Sequence, residues 1–173
     1  VHRAAAEGDT RAAQWLLTVM EQDIPVLGIC FGHQLLAYAL GGVVDYHPLG
    51  REIGTVTIEL NELSAEDDLF ATLPICIKAH VTHAQSVRVL PLGAKVLGGN
   101  EFEPHHIICF RNNVWGVQFH PEFSEAIMTA YIHEQSLALT ELGYDCDALL
   151  TAVTATPEAS QLLTRFVQRC LSR

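Results

Sequence analysis

Two short stretches hold residues whose types and spacing suit covalent chemistry. In "IPVLGICFGHQ", residues 24–34, Cys30 sits between two glycines, where an apolar run ends and a helical pattern begins. A side chain at so sharp a strand-to-helix turn is pushed out of the sheet. It also lies at a helix N-terminus, where free amides and the macrodipole favour negative charge. That setting stabilises thiolate, the nucleophilic form of cysteine. Gly28 and Gly32 suit the tight geometry, because a β-carbon at either place is expected to collide across the elbow. Alone, G-x-C-x-G is equally consistent with a cysteine that merely fills space.

A thiol nucleophile needs a base, and the base needs a group to orient it. "VWGVQFHPE", residues 114–122, reads as a strand ending in His120-Pro121-Glu122. Pro121 fixes its own φ and pushes His120 towards extended geometry. Residues 120 and 122 then point the same way wherever the extended path continues. Glu122 can bond one imidazole nitrogen and leave the other facing a thiol, which is the logic of a triad. An isolated H-P-E is a surface turn; the pairing with Cys30 gives it weight.

Other segments must position these residues. Apolar residues at helical spacing predict a helix over 10–22, with Asp9 or Thr10 as its cap. Residues 26–29 form a short, continuously apolar strand of the kind buried on both faces in a parallel sheet. A helix over 31–40 follows, stopped by Gly41-Gly42. The middle is β-rich, with strands expected over 43–46, 54–60, 75–81 and 94–98, and one helical turn over 67–72. Strands over 106–111 and 114–119 flank Asn112-Asn113, a hairpin signal because asparagine tolerates positive φ. From Phe123 the pattern is mostly helical, with a loop over 143–147 and a last helix over 157–171, opened by Pro157.

At 173 residues, 49% of them hydrophobic, the chain reads as a single domain over 1–173 that buries about two-thirds of its unfolded surface. No apolar run reaches the ~20 residues that span a bilayer, and no charged-then-apolar leader is seen, so no membrane contact is expected. The net charge of −10 comes with Lys and Arg scattered singly. Such a surface repels phosphate backbones, which argues against nucleic acid as a partner. Cys30, Cys76, Cys109, Cys146 and Cys170 are odd in number and never spaced C-x-x-C. That fits free thiols in a reducing cytoplasm, with all but Cys30 as packing residues. The acidic run over 62–68 reads as a solvated turn.

"GICFGHQ" followed by "GVQFHPE" resembles the class I, triad-type glutamine amidotransferases. "GREIG" over 50–54 and "AHVTHAQSV" over 79–87 look most like stand-alone relatives of the amidotransferase domain of GMP synthase. The resemblance implies an α/β fold: a flavodoxin-like three-layer sandwich, its central sheet mostly parallel, with a nucleophile elbow and a small antiparallel β section. It makes Cys30 the nucleophile on the side-chain amide of L-glutamine, His120 the proton carrier and Glu122 its orienter. The backbone amide of Phe31 becomes an oxyanion donor, with removal of such a donor typically costing about 10²–10³ in rate. Gln34, His83 and Ala84 become substrate-binding residues. No cofactor is implied, and released ammonia passes to a separate synthetase or acceptor enzyme. The family fold also opens with a strand, and a second strand ending in a glycine-rich loop that supplies the other oxyanion amide. Neither is read before the first helix, so an upstream segment is expected.

Two other functions compete. One is hydrolysis of a γ-glutamyl amide or peptide by the same thiol chemistry. The other is a non-catalytic amidotransferase-like regulatory subunit, against which the intact Cys30, His120 and Glu122 argue. A metal site is not expected. His80 and His83 lie three apart on a strand, and His105 and His106 are adjacent, so each pair points to opposite faces, and no further spacing completes a four-ligand set. His33 either lines the pocket or packs inside, and Trp115 and Phe119 are core or pocket-wall residues.

Overall fold

Helix α1 (Glu7–Glu21) leads to strand β1 (Val26–Ile29), which feeds straight into helix α2 (Phe31–Ala39), in a computed structural model that describes residues 7–172. Strands β2 (Val43–Tyr46), β3 (Glu52–Leu60), β4 (Cys76–His83), β5 (Gln85–Val89), β6 (Lys95–Gly99), β7 (Ile107–Arg111) and β8 (Val114–Val117) follow. Helices α3 (Glu125–Glu134), α4 (Ser136–Glu141), α5 (Cys146–Thr151) and α6 (Pro157–Leu171) close the chain. Six strands form one sheet in the order β1-β8-β7-β6-β3-β4, while β2 and β5 pair antiparallel on their own.

The α/β class and the small antiparallel section are as expected. The balance of strand directions differs from expectation. Within the described sheet only β1 and β8 run parallel; the remaining pairs are antiparallel. The reason is connection length. Parallel neighbours need a crossover of a dozen or more residues, whereas β7 and β8 are joined through Asn112 and Asn113 alone. Asn113 takes φ 61° there, as the hairpin signal required.

Alternation along β7 divides the core. Ile107 and Cys109 face α6, where they meet Ala159, Leu162 and Phe166. Ile108 and Phe110 face the other way, onto Met20 of α1 and Leu36 and Ala37 of α2. The four residues of β1 divide likewise, with Leu27 and Ile29 on the α6 side and Val26 on the α2 side. Helices thus cover both faces, the three-layer arrangement. A smaller apolar group gathers Ile53, Phe123, Met128, Ile132 and Leu139 beneath α3 and α4.

Helix α2 ends as its glycines require. Gly41 adopts φ 89°, its amide donating to the Tyr38 carbonyl (3.1 Å) and that of Gly42 to the Ala37 carbonyl (2.8 Å). This double bond satisfies carbonyls that the last turn leaves open. The chain is already helical at Glu7, so Asp9 and Thr10 lie inside α1 and not at its cap. Strand β5 was not anticipated, because "QSVRV" follows β4 after a single residue. The single helical turn expected over 67–72 is present, with the amides of Phe70 and Ala71 donating to the Asp67 carbonyl at 3.2 and 2.9 Å; the 3₁₀ segment Glu62–Glu66 before it, capped by the Asn61 side chain, was not expected. Asp67 is more than a solvated turn residue: its carboxylate accepts from Trp115 Nε1 (3.0 Å) and from the amide of Leu69 (2.9 Å). Trp115 and Phe119 are core. All five cysteines are free thiols, but Cys76 and Cys170 are exposed, so the packing role expected of them does not apply. Among the described residues no helix is long and apolar enough to cross a membrane.

The two elbow glycines are not equivalent. A β-carbon on Gly28 would lie 2.6 Å from the Gly32 backbone and 2.6 Å from Leu36 Cδ1, whereas one on Gly32 would meet nothing within 4 Å. The collision expected at both is real at Gly28 alone. Gly28→Ala should therefore destabilise by about 1–3 kcal/mol, the usual cost of overpacking. Gly32→Ala should be neutral or stabilising by up to about 1 kcal/mol, alanine being the better helix former. Urea unfolding midpoints of the two variants measure the difference; equal midpoints would contradict the contrast.

Candidate active site

Strand β1 delivers Cys30 to the rim of the sheet. The parallel register sets Ile29 opposite Val117, and the Cys30 amide extends the ladder by donating to the Val117 carbonyl at 2.8 Å. There the chain turns abruptly. Cys30 adopts φ 49°, ψ −101° as the residue preceding α2, a conformation that a residue with a β-carbon enters only when its surroundings force it. Its carbonyl already accepts from the Gln34 amide (3.1 Å), so the strain is spanned by strand bonds before it and helix bonds after it. The half-buried thiol stands at the helix N-terminus, as the motif implied.

Beyond β8 the chain bends at residues 118 and 119 and runs beside β4, with the His120 amide donating to the His80 carbonyl at 2.8 Å. The extended path expected through residue 122 gives way to a turn, in which the Phe123 amide donates to the His120 carbonyl at 3.2 Å. The two side chains meet across that turn, His120 Nδ1 lying 2.7 Å from Glu122 Oε1. Phe123 stacks on the imidazole, with centroids 4.1 Å apart and planes within 18°. Cys30 is near enough to act on the same ring. Burial alone would lower the His120 pKa. The hydrogen bond to Cys30, that to Glu122 and the charges of both outweigh it and raise the value to about 9. Burial pushes Glu122 up, but its hydrogen bond to His120 dominates and holds it below the ordinary carboxylate range. An imidazolium at neutral pH is the proper partner of a thiolate, and it carries a proton ready for a leaving group.

The other residues singled out by sequence lie underneath. Gln34 is nearly buried, and its Nε2 donates to the Gln85 carbonyl (2.9 Å) and to Gln118 Oε1 (3.0 Å). His83 also points inward, its Nδ1 at 2.9 Å from that same Gln85 carbonyl and its Nε2 at 2.8 Å from Glu52 Oε2. Both of its nitrogens face acceptors and both are spent. The Ala84 carbonyl accepts from the His47 amide at 2.8 Å. The Phe31 side chain is exposed beside the nucleophile. His33 packs fully buried against Phe110 and Gly116; burial, reinforced by His106, drives its pKa to about 3. It is a neutral interior histidine.

Two participants were missed. Gln118, fully buried, places Nε2 at 3.6 Å from the Cys30 sulfur. Strand parity could not have found it, because β8 ends at Val117 and the chain bends at residue 118. Glu52 is the second. His83 Nε2 and His106 Nε2 both approach its Oε2, at 2.8 and 3.0 Å, and Asn100 Nδ2 donates to its Oε1 at 2.7 Å. Burial would raise Glu52, but the bonds from His106, His83 and Asn100 outweigh it and bring the pKa down to about 2. Glu52, His83 and His106 offer ligand atoms within 4.8 Å of one another, a set able to hold a metal ion. The expectation weighed histidines only within each motif; the fold takes one from each pair and adds a carboxylate. Of the two contacts only that of His83 has hydrogen-bond geometry; His106 Nε2, though 3.0 Å from the same oxygen, is buried without a hydrogen-bond partner.

With this geometry in hand, comparison with known proteins fixes the family. The family "Glutamine amidotransferase class-I" matches residues 2–138. The chain is 37% identical over 105 residues to a GMP synthase [glutamine-hydrolyzing] of Thermosipho africanus, covering 60% of this chain and 20% of that protein. It is 36% identical over 110 residues to one of Lactococcus lactis, covering 63% of this chain and 21% of that protein. It thus spans about a fifth of the length of these relatives. A solved glutamine amidotransferase of Thermotoga maritima superposes with TM-score 0.80 at 24% identity, covering 100% of this chain and 76% of its own. One from Methylobacillus flagellatus gives 0.72 at 21% identity, over 98% and 71%. At those identities the structural likenesses speak for the fold alone, while the family match covers most of the sequence: the chain belongs to the class-I glutamine amidotransferases.

Proposed function

We propose that this domain hydrolyses L-glutamine to glutamate and ammonia through a γ-glutamyl thioester on Cys30. The observation that carries the reading is His120, its Nδ1 held at 2.7 Å from Glu122 Oε1 and its pKa raised chiefly by Cys30. The Cys30 thiolate attacks the γ-carboxamide carbon, forming a C–S bond as the C=O electron pair moves to oxygen. The Phe31 amide, first in α2, donates to that oxyanion. When the tetrahedral intermediate collapses, the C–N bond breaks and the imidazolium of His120 supplies the proton with which ammonia departs. His120, now neutral, takes a proton from water as it attacks the thioester; glutamate leaves and the thiolate–imidazolium pair is restored. Glu122 holds the ring by Nδ1 throughout. The amino-acid end of the substrate is proposed to lie along the main chain at Ala84, since the His83 ring is spent elsewhere. Ammonia then goes to a synthetase or other acceptor, as the names of the GMP synthase relatives suggest. The free thiols suit a reducing cytoplasm.

Removing the sulfur should abolish turnover and leave the fold intact, because Cys30 sits at the sheet's rim. Glutaminase activity of Cys30→Ala above about a tenth of the parent, a barrier change under ~1.4 kcal/mol, would contradict the assignment. Glu122→Gln should retain more activity than His120→Ala, since the orienting group contributes less than the proton carrier. Indistinguishable rates in all three variants would dismiss the triad.

The charge state of His120 sets the alkaline behaviour. Its pKa is raised from 6.5 to about 9 in the folded state, so its stabilising contribution is full below 6.5 and is lost as pH rises through about 9. The same deprotonation removes the proton needed by ammonia, so kcat/KM should fall across that upper range. NMR titration of the His120 ring gives the direct check. In Cys30→Ala, which deletes the largest of the raising interactions, the ring should titrate at distinctly lower pH; an unchanged midpoint would show that the thiol does not hold the proton on His120.

A further inference from the structure

Buried amides between α2, β5 and β8 form a chain of fixed polarity that ends at the nucleophile. The Gln85 carbonyl oxygen can only accept, so the Gln34 atom 2.9 Å from it must be the amide nitrogen. That nitrogen has a second hydrogen, and the Gln118 atom it meets at 3.0 Å must therefore be the carbonyl oxygen. The other end of the Gln118 amide, 3.6 Å from Cys30 Sγ, is then its NH₂ group. Each amide orientation follows from the one before, starting from a main-chain atom that cannot flip. The Gln85 carbonyl is itself steadied by the His83 ring, which is anchored on Glu52. Gln118 is fully buried, its main-chain N–H donates to the His106 carbonyl at 2.8 Å, and its side-chain oxygen accepts from Gln34, so the side chain has little freedom to leave the sulfur.

We propose that Gln118 is a catalytic residue that donates an N–H to the Cys30 thiolate, and that Gln34 is a positioning residue that keeps the Gln118 amide from presenting its oxygen instead. An N–H aimed at a localised negative charge steadies it, whereas a carbonyl oxygen in the same place repels it. The role rests on the reading of Cys30 as the working thiol. It is separate from the substrate-binding role that the family resemblance implies for Gln34: the positioning uses both hydrogens of its amide nitrogen, whereas a ligand role would use its Oε1. The two roles differ in what they predict for KM and for the bare thiol.

The experiment combines chemical and kinetic readouts on the whole domain. The rate of Cys30 alkylation by iodoacetamide at neutral pH is followed by mass spectrometry of its peptide, which sets aside the exposed Cys76 and Cys170. Glutaminase kcat and KM are measured in parallel. Gln118→Met, similar in length and without a donor, should slow Cys30 alkylation and lower kcat by about tenfold, the range for a hydrogen bond to a charged group, with KM within about twofold. Gln118→Glu should do worse than Gln118→Met, because it sets a carboxylate against the sulfur. Gln34→Met should likewise slow Cys30 alkylation and lower kcat, without touching the sulfur. Unchanged alkylation in both Met variants overturns the proposal, as does a raised KM with unchanged kcat in Gln34→Met, the signature of a substrate ligand. If unfolding midpoints show that Gln118→Met does not fold, Gln34→Met alone carries the same two criteria. Slowed alkylation in a domain whose parent shows no glutaminase activity would refute the proposed function and leave the Gln118 contact standing.

Discussion

One rung of the sheet ladder sets everything at the site: the bond from the Cys30 amide to the Val117 carbonyl, 2.8 Å long. It is the last link of the parallel pairing between β1 and β8, and it fixes where the nucleophile stands relative to the strand that continues to His120. A slip of one residue in that register would turn every side chain of one strand to the opposite face. The thiol would then face the α6 core while the imidazole stayed on the rim. The strained Cys30 backbone belongs to the same constraint. A φ of 49° survives because the preceding strand is paired and the following helix has closed its first turn on the Cys30 carbonyl. The close approach of Gly28 to Gly32 and Leu36 shows how little room is left for the turn to relax.

Burial acts alike on each ionisable group, and the partners decide the outcome. Burial and neighbouring histidines outweigh the one raising contribution at His33, from the Gly116 main chain, and its pKa falls to about 3. His120 is also penalised by burial, but the thiol and Glu122 reverse the sign and bring it to about 9. Glu52 should be driven up in so dry a place, yet two histidines and an asparagine hold it near 2. The domain keeps a charge only where it has built partners for it, as the cost of an unpaired buried charge demands. The contrast between His33 and His120 is informative because both stand close to the elbow, one behind it and one in front.

Much of the arrangement was legible in the sequence. β1 and α6 fall at their expected limits because a short apolar run and an amphipathic pattern opened by proline each have one reading, and β2 matches as well. Cys30, His120 and Glu122 stood out because they sit at turns, where the local rules for Gly and Pro are strong; the alternation expected to align residues 120 and 122 is replaced by a turn. Strand direction was not legible. Apolar content shows that a strand is buried, not which neighbour it pairs with, and the hairpins around β7 made most of the sheet antiparallel. The roles of Gln34 and His83 were obscured for a related reason. The sequence supplies polar residues near the nucleophile, but only the fold shows that the Gln85 carbonyl lies between them and uses both.

Polar side chains buried this close to an apolar core need a reason. Gln118, Gln34 and His83 would each cost on the order of 1–3 kcal/mol if left unpaired, more than one group's share of a marginal fold's stability. Their bonds form one connected line from Glu52 through His83, the Gln85 carbonyl and Gln34 to Gln118. A connected line makes each member's geometry depend on the next, so none can rotate without leaving two groups unsatisfied. The same line joins α2 to β5 and β8, the elements that bracket the elbow. An apolar filling of equal volume would hold those elements together as well, but it would not set the direction of an amide against the sulfur. The orientation of a donor, more than the stability of the layer, is what a polar filling adds here.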